Sequence, residues 1–476
     1  MSSPSTYASP VVDTELWASR IAGHATLADE RLNTRLGLLL TALVSQPSDS
    51  LPQACGSSGQ AQAAYRFFAN ERIGPNDLLE PVADATSDAC RGLKTMLAVQ
   101  DSSSLNYTTL RTTKGLGPLN DSPTARGLHM HTTLAVRADG VALGILDQLY
   151  WARPEKGRSA PIRRERPIED KESYKWLLGI EAAEAAWETL PIDQRPRLIH
   201  VMDREGDVHE VMQRVTNSPH YAIIRCGQNR SVAGPIDKAF AASEAAPVFA
   251  TVTIDQPHSQ QGQTPISPAR RVTLNLRKVQ LTLCPNLDKH PHLQPLNWTL
   301  IDAREAEAAS GSEPLHWRLW TNLPITTLDD VLEALRFYAL RWRVEDFHLT
   351  LKSGCQIEKL ELEDAERLIK AAILYSAVAI RIVALRDLAR VEPNTPCTAI
   401  LTQDEWQPLW LRFSKTKLTA QTTPPTIEQA IRWIGRLGGH LGRKRDGMPG
   451  VRTLWRGLRD LSLLAAGFHI GRTMTR

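Results

Sequence analysis

The chain has 476 residues, of which 42% are hydrophobic and 23% are charged, and its formal net charge is +4. This length and composition predict a folded protein of two to four domains with substantial cores. The overall charge is too small to indicate a nucleic-acid partner by itself. From Arg432 onward, however, ten Lys or Arg residues stand against two acids. This distribution favours contact with phosphate, and a solubilising basic surface is the alternative.

Disulfide-rich and membrane-spanning classes of protein are disfavoured. The six cysteines lack the spacing of a zinc site or of a disulfide framework. The first residues lack a secretory signal pattern. The most apolar stretch, 371–385, is short and contains Arg381, which predicts a buried helix and not a membrane span. We therefore expect a cytoplasmic protein that makes no contact with a membrane.

The first seventy or so residues predict small helices with basic faces. Asp29 is an expected N-cap of a helix that carries Arg31 and Arg35. A Ser/Pro/Gly-rich break over 46–60 precedes a second helical segment that carries Arg66. Units of this type bind DNA, or they simply cap a larger domain.

Strands follow from Thr95, and two of them end in acids. The first apolar run ends at Asp101, and the next two strands flank an Asp139-Gly140 hairpin turn. After a long helix, a fourth strand leads into Asp203. The remaining expected elements, in chain order, are strands 130–137 and 141–149, helix 171–190, strand 197–202, helix 209–215 and a strand over 221–225 that ends at Arg225.

The order strand, strand, strand, helix, strand, helix, strand is that of an RNase-H-like mixed sheet, so the predicted fold class is α/β. Alternating segments between Arg225 and Trp317 predict an inserted antiparallel β-subdomain at about 226–316. We expect a helical N-terminal domain over 1–75, the catalytic domain with its insertion over 76–390, and a helical C-terminal domain over 391–476.

A run over 338–352 predicts one amphipathic helix. At about 100° per residue, its polar members fall within an arc of roughly 60°, opposite the apolar side chains. These polar members are Tyr338, Arg341, Glu345 and Lys352. Such a face suits a metal ligand among phosphate-binding groups, and it also fits an ordinary solvated helix surface.

Asp101, Asp203 and Glu345 together predict a metal site that acts on phosphodiesters. Two Mg²⁺ ions about 3.5–4 Å apart activate the attacking oxygen and stabilise the leaving one, and such hard cations prefer carboxylate oxygens. We expect Asp101 to bridge both ions, while Asp203 and Glu345 each complete one. Taken singly, Asp101 also fits a strand-ending acid and Asp203 a helix cap.

These motifs resemble those of the DDE transposases of the insertion-sequence-four group, most closely the branch of bacterial transposon five. The group's Tyr-(2)-Arg-(3)-Glu-(6)-Lys signature is present in full over 338–352. The segments Asp101-Ser-Ser-Ser-Leu-Asn-Tyr107 and Asp203-Arg-Glu-Gly-Asp207 resemble those that carry the group's other two acids. The resemblance runs from Tyr65-Arg-Phe67 to Lys444-Arg445. One departure is Gly206, where the group usually has alanine.

The resemblance implies cut-and-paste transposition through a DNA hairpin, with two Mg²⁺ ions per active site and Mn²⁺ as a substitute. The implied partners are double-stranded DNA, as transposon inverted-repeat ends and as target, and a second copy of the chain. In the group, a tryptophan on the strand before the signature helix holds an extruded base, and Trp317 matches it. A core position is the alternative for Trp317.

The resemblance also implies DNA contacts around that base and at the two ends of the chain. Arg341 and Lys352 would hold phosphates, and Tyr338 would donate its hydroxyl to one; a salt-bridged surface is the alternative for these three. Trp342 would support the base or only pack. The further DNA contacts expected are Arg31, Arg35, Arg66 and Arg225, together with Lys444 and Arg445 in a segment that also dimerises.

Two other functions stay open at this point. The first is a catalytically silent DNA-binding regulator of transposition, which an intact set of three acids disfavours. The second is an RNase-H-like nuclease without strand transfer, in which Trp317 and the polar helix face would have no evident purpose.

Overall fold

The computed structural model describes residues 13–119, 122, 124–155, 167–256, 259–261, 264–267, 270–288, 290–307, 314–443 and 446–474. The α-helices within these residues are α1 (Thr14–His24), α2 (Glu30–Ser45), α3 (Leu51–Ala54), α4 (Ser58–Phe68), α5 (Pro75–Cys90), α6 (Lys175–Glu188), α7 (His209–Thr216), α8 (Ala239–Ala245), α9 (Leu328–Ala339), α10 (Trp342–Leu349), α11 (Ala365–Val391), α12 (Gln403–Phe413), α13 (Ile427–Leu437) and α14 (Val451–Met474). The strands are β1 (Thr95–Asn106), β2 (Gly117–Pro118), β3 (Arg126–Arg137), β4 (Ala142–Trp151), β5 (Arg197–Met202), β6 (Tyr221–Arg225), β7 (Ala250–Gln256), β8 (Ser259–Gln261), β9 (Thr264–Ser267), β10 (Arg270–Leu283), β11 (Leu296–Glu305) and β12 (His316–Thr321).

The chain forms two compact units that are not contiguous in sequence. The first comprises Met1–Arg158, Glu181–Arg197 and Trp342–Arg476, and the second comprises Ser159–Ile180 and Leu198–Arg341. The domain boundaries expected at about residues 75 and 390 stay predictions.

The first unit combines an antiparallel sheet with most of the helices. Strand β3 pairs with β1, β2 and β4, all antiparallel. Helices α5 and α11 pack against β4. Among the described residues, α11 is the one helix long and apolar enough to cross a membrane, and 94% of its most apolar window is buried inside the fold. It is therefore the central core helix of this unit, as the sequence predicts.

The N-terminal helices form as expected. The Asp29 carboxylate accepts a hydrogen bond from the Arg31 backbone N–H and thereby caps α2. The apolar side of α2 is fully buried at Leu36, Leu40 and Leu43. Its arginines lie on the opposite, accessible side, so the basic face survives folding.

The second unit contains a mixed sheet in the order β5-β6-β12-β11-β10-β7. Strands β5 and β6 are parallel, and the other pairs are antiparallel. The strands of the insertion continue this sheet through β12. The two alternating segments recognised in the sequence between 272 and 283 form the single long strand β10.

The fold is thus mixed α/β with a large mixed sheet and helical N-terminal and C-terminal regions, which is consistent with an RNase-H-like core. Two local predictions were wrong. Strand β1 does not end at Asp101 but continues to Asn106. The run over 338–352 is not one helix, because α9 ends at Ala339, α10 begins at Trp342, and a wider turn of π type follows over Thr350–Gly354.

The interruption between α9 and α10 has a backbone cause. The Leu340 N–H bonds to the carbonyls of both Arg336 and Phe337, and the Arg341 N–H bonds to that of Tyr338. The last turn of α9 therefore tightens into bonds that span three residues and ends the helix.

The partly buried Asp147 carboxyl makes the stability of the fold depend on pH. It lies on β4 opposite Thr133, next to an irregularity in the pairing with β3. Burial raises the pKa of this carboxyl to about 6, although a hydrogen bond from the Gln148 backbone opposes the rise. Between about pH 4 and 6 the folded protein therefore keeps a proton that the unfolded chain releases. Stability falls as pH rises through this window, and the full penalty is present above it.

We expect Asp147→Asn to raise the free energy of unfolding at pH 7.5 by about 3 kcal/mol, since the pKa rises from 3.8 to about 6 and each unit corresponds to about 1.4 kcal/mol. Urea unfolding at pH 4.5, 6.0 and 7.5 would measure it, and the gain should shrink toward pH 4.5. The exposed Asp193→Asn is the matched control and should change stability by less than about 0.5 kcal/mol. Equal stability of Asp147→Asn and the parent at pH 7.5 would contradict the prediction.

Candidate active site

Strand pairing in the second unit brings several of the predicted site residues to one edge of the sheet. Because β5 and β6 are parallel with Met202 opposite Ile224, Asp203, which follows β5, and Arg225, the last residue of β6, lie side by side at this edge. Strand β12 runs antiparallel to β6 with Leu319 opposite Arg225, so Trp317 lies two residues further in the same direction. Helix α9 packs against β6 and ends there.

Tyr338, on the last turn of α9, is the centre of this group. Its ring contacts that of Trp317 edge to face, with the centroids 5.3 Å apart and the planes at 74°. Burial raises the pKa of the Tyr338 hydroxyl, while Arg341, which hydrogen-bonds to it, and Arg225 oppose the rise. The hydroxyl stays protonated at neutral pH, so it accepts from Arg341 and keeps its own proton to donate.

Trp317 is not a core tryptophan. It is half-buried on β12, whereas Trp320 on the same strand is fully buried. The ring of Trp317 is therefore fixed by Tyr338 and still partly accessible. The core position considered for Trp317 from the sequence belongs to Trp320.

Asp203 and Arg225 are both partly buried charged groups. Burial raises the pKa of the Asp203 carboxyl, and its bond from the Glu205 backbone N–H, 2.8 Å long, and the nearby Arg341 act in the opposite direction. Asp203 thus also caps the short turn Arg204–Gly206, as the alternative interpretation predicted. Arg225 donates to the His316 carbonyl through Nη2. Its buried Nη1 has no hydrogen-bond partner among the described residues.

The departure at Gly206 has a local reason. A Cβ placed on Gly206 would lie 2.7 Å from the Cβ of Met202. The turn after Asp203 therefore folds closely against the end of β5, and only glycine allows that approach.

In the first unit, Asp101 and Glu345 lie on elements that pack together. Asp101 faces Thr132 across the β1–β3 pair and is the first partly exposed residue after six buried ones. Its Oδ1 accepts a hydrogen bond from the Ser102 backbone N–H at 2.7 Å. Glu345 is half-buried on α10, which packs on β1 and β3.

Lys352 lies in the π-type turn that follows α10. Burial lowers the pKa of its ammonium group, and the Glu358 carboxylate opposes the change. Glu358 also accepts a hydrogen bond from the Asn106 backbone at 2.8 Å, which ties this segment to the end of β1. The turn closes at Gly354, where an added Cβ would lie 2.7 Å from the ring of Trp455 on α14.

A buried ionic network that the sequence analysis did not anticipate holds α10 in place. Arg386 of α11 lies 2.8 Å from Asp346 and 2.7 Å from Asp387. Arg343 of α10 contacts Asp387 at 3.2 Å and donates to the Gly140 carbonyl at 2.8 Å. The network therefore fastens the helix of Glu345 to α11 and to the β3–β4 turn. The sequence signal for it was the adjacent pair Arg386-Asp387 in the apolar second half of α11.

The structure separates the predicted residues into two groups. Asp203, Arg225, Trp317, Tyr338 and Arg341 lie together in the second unit, while Asp101, Glu345 and Lys352 lie in the first. The convergence of the three acids on one pair of ions stays a prediction. Tyr338 and Arg341 are buried and Lys352 is half-buried, and the choice between phosphate contacts and salt bridges for these residues stays open. Trp342 is 52% exposed, so it is not a packing residue of the core.

The basic residues expected to contact DNA outside this region lie in different surroundings. Arg31 and Arg66 are exposed on α2 and α4. Arg35 donates a hydrogen bond to the side chain of Gln60, which joins the two helices. Lys444 and Arg445 lie outside the described residues.

Comparison with known protein families gives two matches, one at each end of the chain. Residues 14–73, which contain α1 to α4, match the Transposase DNA-binding family. Residues 377–476, from within α11 to the last residue, match the Transposase Tn5 dimerisation domain. The basic face of α2 and α4 therefore belongs to a DNA-binding domain, and α12 to α14 belong to a dimerisation domain.

The ionic network predicts a large effect of one substitution. Arg386 is 3% exposed and Asp387 is 1% exposed, so Arg386→Met leaves buried carboxylates without their main counter-ion. We expect a loss of about 3–5 kcal/mol in the free energy of unfolding, measured by urea denaturation. Arg459→Met removes an accessible pair with Asp460, 3.0 Å long, and should cost about 1 kcal/mol or less. Equal losses in the two variants would contradict the role assigned to the network.

Proposed function

The chain is a Tn5-like transposase, and we propose that it performs cut-and-paste transposition by two-metal-ion phosphoryl transfer at Asp101, Asp203 and Glu345. DNA and a second copy of the chain are its partners, in keeping with its DNA-binding and dimerisation domains. In the proposed reaction it cleaves the inverted-repeat ends through a hairpin and joins the 3′ ends to target DNA. It would act in the bacterial cytoplasm, on DNA of the nucleoid.

One observation carries the proposal: the contact of Trp317 with Tyr338, beside Arg341 and Asp203. The two rings meet edge to face at 5.3 Å, and Arg341 hydrogen-bonds to Tyr338 and acts on the pKa of Asp203. An accessible aromatic ring, two phosphate-binding groups and a carboxylate are thus held together between two transposase domains in the sequence.

The donor set of the three acids fits Mg²⁺. Each is a partly buried carboxylate, and hard divalent cations take oxygen ligands of this kind. When bound, two such ions would activate the attacking oxygen and stabilise the leaving one, and Mn²⁺ would substitute. Burial already raises the pKa of Asp203, so a cation would relieve the cost of a buried negative charge there.

The cationic groups around the acids would position the DNA backbone. Arg341 and Lys352 bind phosphates, and the Tyr338 hydroxyl donates its proton to a phosphate oxygen. The buried Nη1 of Arg225 is a further donor for the same backbone. Burial in a region of low dielectric strengthens each of these contacts relative to water.

Trp317 would hold a base that leaves the stack when the hairpin forms. A hairpin bends the backbone sharply, and extruding one base relieves the bend. The ring of Trp317 is partly accessible and is fixed from the side by Tyr338, which suits it to stack with a base. Trp342, exposed on the first turn of α10, would support the same base.

Basic residues at the two ends of the chain would recognise the transposon end. Arg31, Arg35 and Arg66 lie within the DNA-binding match, and two of them are exposed. Lys444 and Arg445 lie within the dimerisation match. Contacts of this type to phosphates fix the register of a protein on its duplex.

Removing one carboxylate should abolish cleavage and preserve binding. We expect Asp203→Asn and Glu345→Gln each to lower Mg²⁺-dependent cleavage by at least about 10²-fold, because each removes charge that stabilises the transition state. The substrate is DNA from the inverted repeats that flank the coding region, and a gel assay follows both binding and strand breaks. The exposed Asp329→Asn is the control and should cleave like the parent.

The same assay separates transposase from regulator. A parent protein that protects the ends in Mn²⁺ without breaking a strand would favour the silent regulator. Cleavage at the parent rate by Glu345→Gln would show that the acid assignment is wrong.

Replacement of Trp317 should separate nicking from hairpin formation. Stacking of a base on an aromatic ring contributes about 1–3 kcal/mol, so Trp317→Ala should reduce the hairpin product by about 5- to 150-fold while first-strand nicking continues. Trp317→Phe keeps an aromatic face and should recover part of the product. Denaturing gels with end-labelled DNA measure both steps. Equal loss of nicking and hairpin would instead indicate a structural role for the ring.

A further inference from the structure

Glu210, His290 and His292 form a cluster of metal-binding side chains that the proposed reaction does not use. Each offers one ligand atom, a carboxylate oxygen or an imidazole nitrogen, and the three atoms lie within 4.8 Å of one another. Glu210 lies in the first turn of α7, and the two histidines lie in the connection between β10 and β11. Residues about 80 positions apart in the sequence therefore meet in the second unit.

Hydrogen bonds to α7 hold the histidine-bearing connection in place. His209 donates through Nε2 to the Gln294 carbonyl at 2.8 Å. The Gln213 side chain accepts from the Gln294 backbone N–H, also at 2.8 Å. Leu293, between the histidine pair and Gln294, is only 5% exposed. The segment is thus fixed against α7 without a metal, which lowers the cost of ordering the ligands.

The chemistry of the donors selects the ion. Mg²⁺ takes oxygen ligands, whereas two imidazoles and one carboxylate suit Zn²⁺. Tetrahedral Zn²⁺ with bonds of about 2.0–2.1 Å needs ligand atoms about 3.4 Å apart, a separation that small side-chain rotations can reach from the present cluster. Three protein ligands would leave one position of a tetrahedral Zn²⁺ for water, and the histidines are accessible to solvent in part or in full.

We propose that Glu210, His290 and His292 bind one Zn²⁺ ion that fastens the β10–β11 connection to α7. This site is separate from the Asp101, Asp203 and Glu345 set and does not depend on the proposed transposition reaction. The role of the ion is structural. It links α7, the helix that follows Asp203 in the chain, to the connection that leaves the C-terminal end of β10.

Zinc binding to the full chain, expressed without a histidine tag, tests the proposal. The buffer contains excess Mg²⁺ to occupy Asp101, Asp203 and Glu345, and Zn²⁺ is the only ion titrated. We expect the protein to bind one equivalent of Zn²⁺ and its Tm to rise. Removing a residue that hydrogen-bonds to a metal ligand lowers metal affinity by about 10–100-fold. Removing a ligand itself, in Glu210→Gln or His290→Ala, should therefore lower Zn²⁺ affinity by at least about 100-fold. Both variants should lose the rise in Tm.

Two variants nearby serve as controls. Asp288→Asn changes an exposed acid two residues before His290, and Cys284→Ser removes an exposed thiol of the same cleft. Neither belongs to the cluster, so both should bind Zn²⁺ like the parent.

Two results would overturn the proposal. In the first, the parent protein does not bind Zn²⁺ tightly. In the second, Glu210→Gln binds one equivalent of Zn²⁺ with the affinity of the parent. Should His290→Ala fail to fold, His292→Ala carries the test, because the His292 side chain is exposed and its ring contact, among the described residues, is with the ring of His290. Loss of transposition with zinc binding intact would count against the proposed function alone.

Discussion

The placement of Glu345 depends on charges buried against α11. Arg386 lies between Asp346 and Asp387, and Arg343 joins Asp387 to the β3–β4 turn. Buried ions are costly unless each has its partner, so a shift of α10 that broke these pairs would be penalised. The helix that carries the third acid is thus fixed by electrostatics as well as by the apolar packing of Val344, Phe347 and Leu351.

The proposed chemistry divides between two compact units, and the end of α9 marks the division. Tyr338 and Arg341 belong to the unit of Asp203 and Trp317, while Glu345 and Lys352 belong to the unit of Asp101. A regular helix would have set all four signature side chains on one rigid face. The tightened turn at Leu340 interrupts the helix. Tyr338 and Arg341 therefore pack within one unit, and Glu345 and Lys352 pack within the other.

Much of the fold could be predicted because hydrophobic periodicity reports local structure. The hairpin at Gly140, the strand before Asp203 and the cap at Asp29 all depend on neighbours in the sequence. The break before Trp342 and the partners of Arg386 depend on contacts between distant residues, which no local pattern encodes. For the same reason, the family resemblance suggested a role for Trp317 but could not show that Tyr338 fixes its ring. Within the Glu210 cluster, His290 and His292 stand two residues apart, but Glu210 lies 80 positions earlier, and only folding brings the three together.

The closeness of Gly354 to Trp455 has a mechanical consequence. The indole rests where any side chain larger than hydrogen would stand, so the turn with Lys352 and the helix of the dimerisation domain have no slack between them. Docking of a second chain that displaced α14 would push directly on the segment that holds Lys352. Movement of α14 would thus reach the turn of Lys352, the proposed phosphate-binding lysine, through direct packing of the two segments.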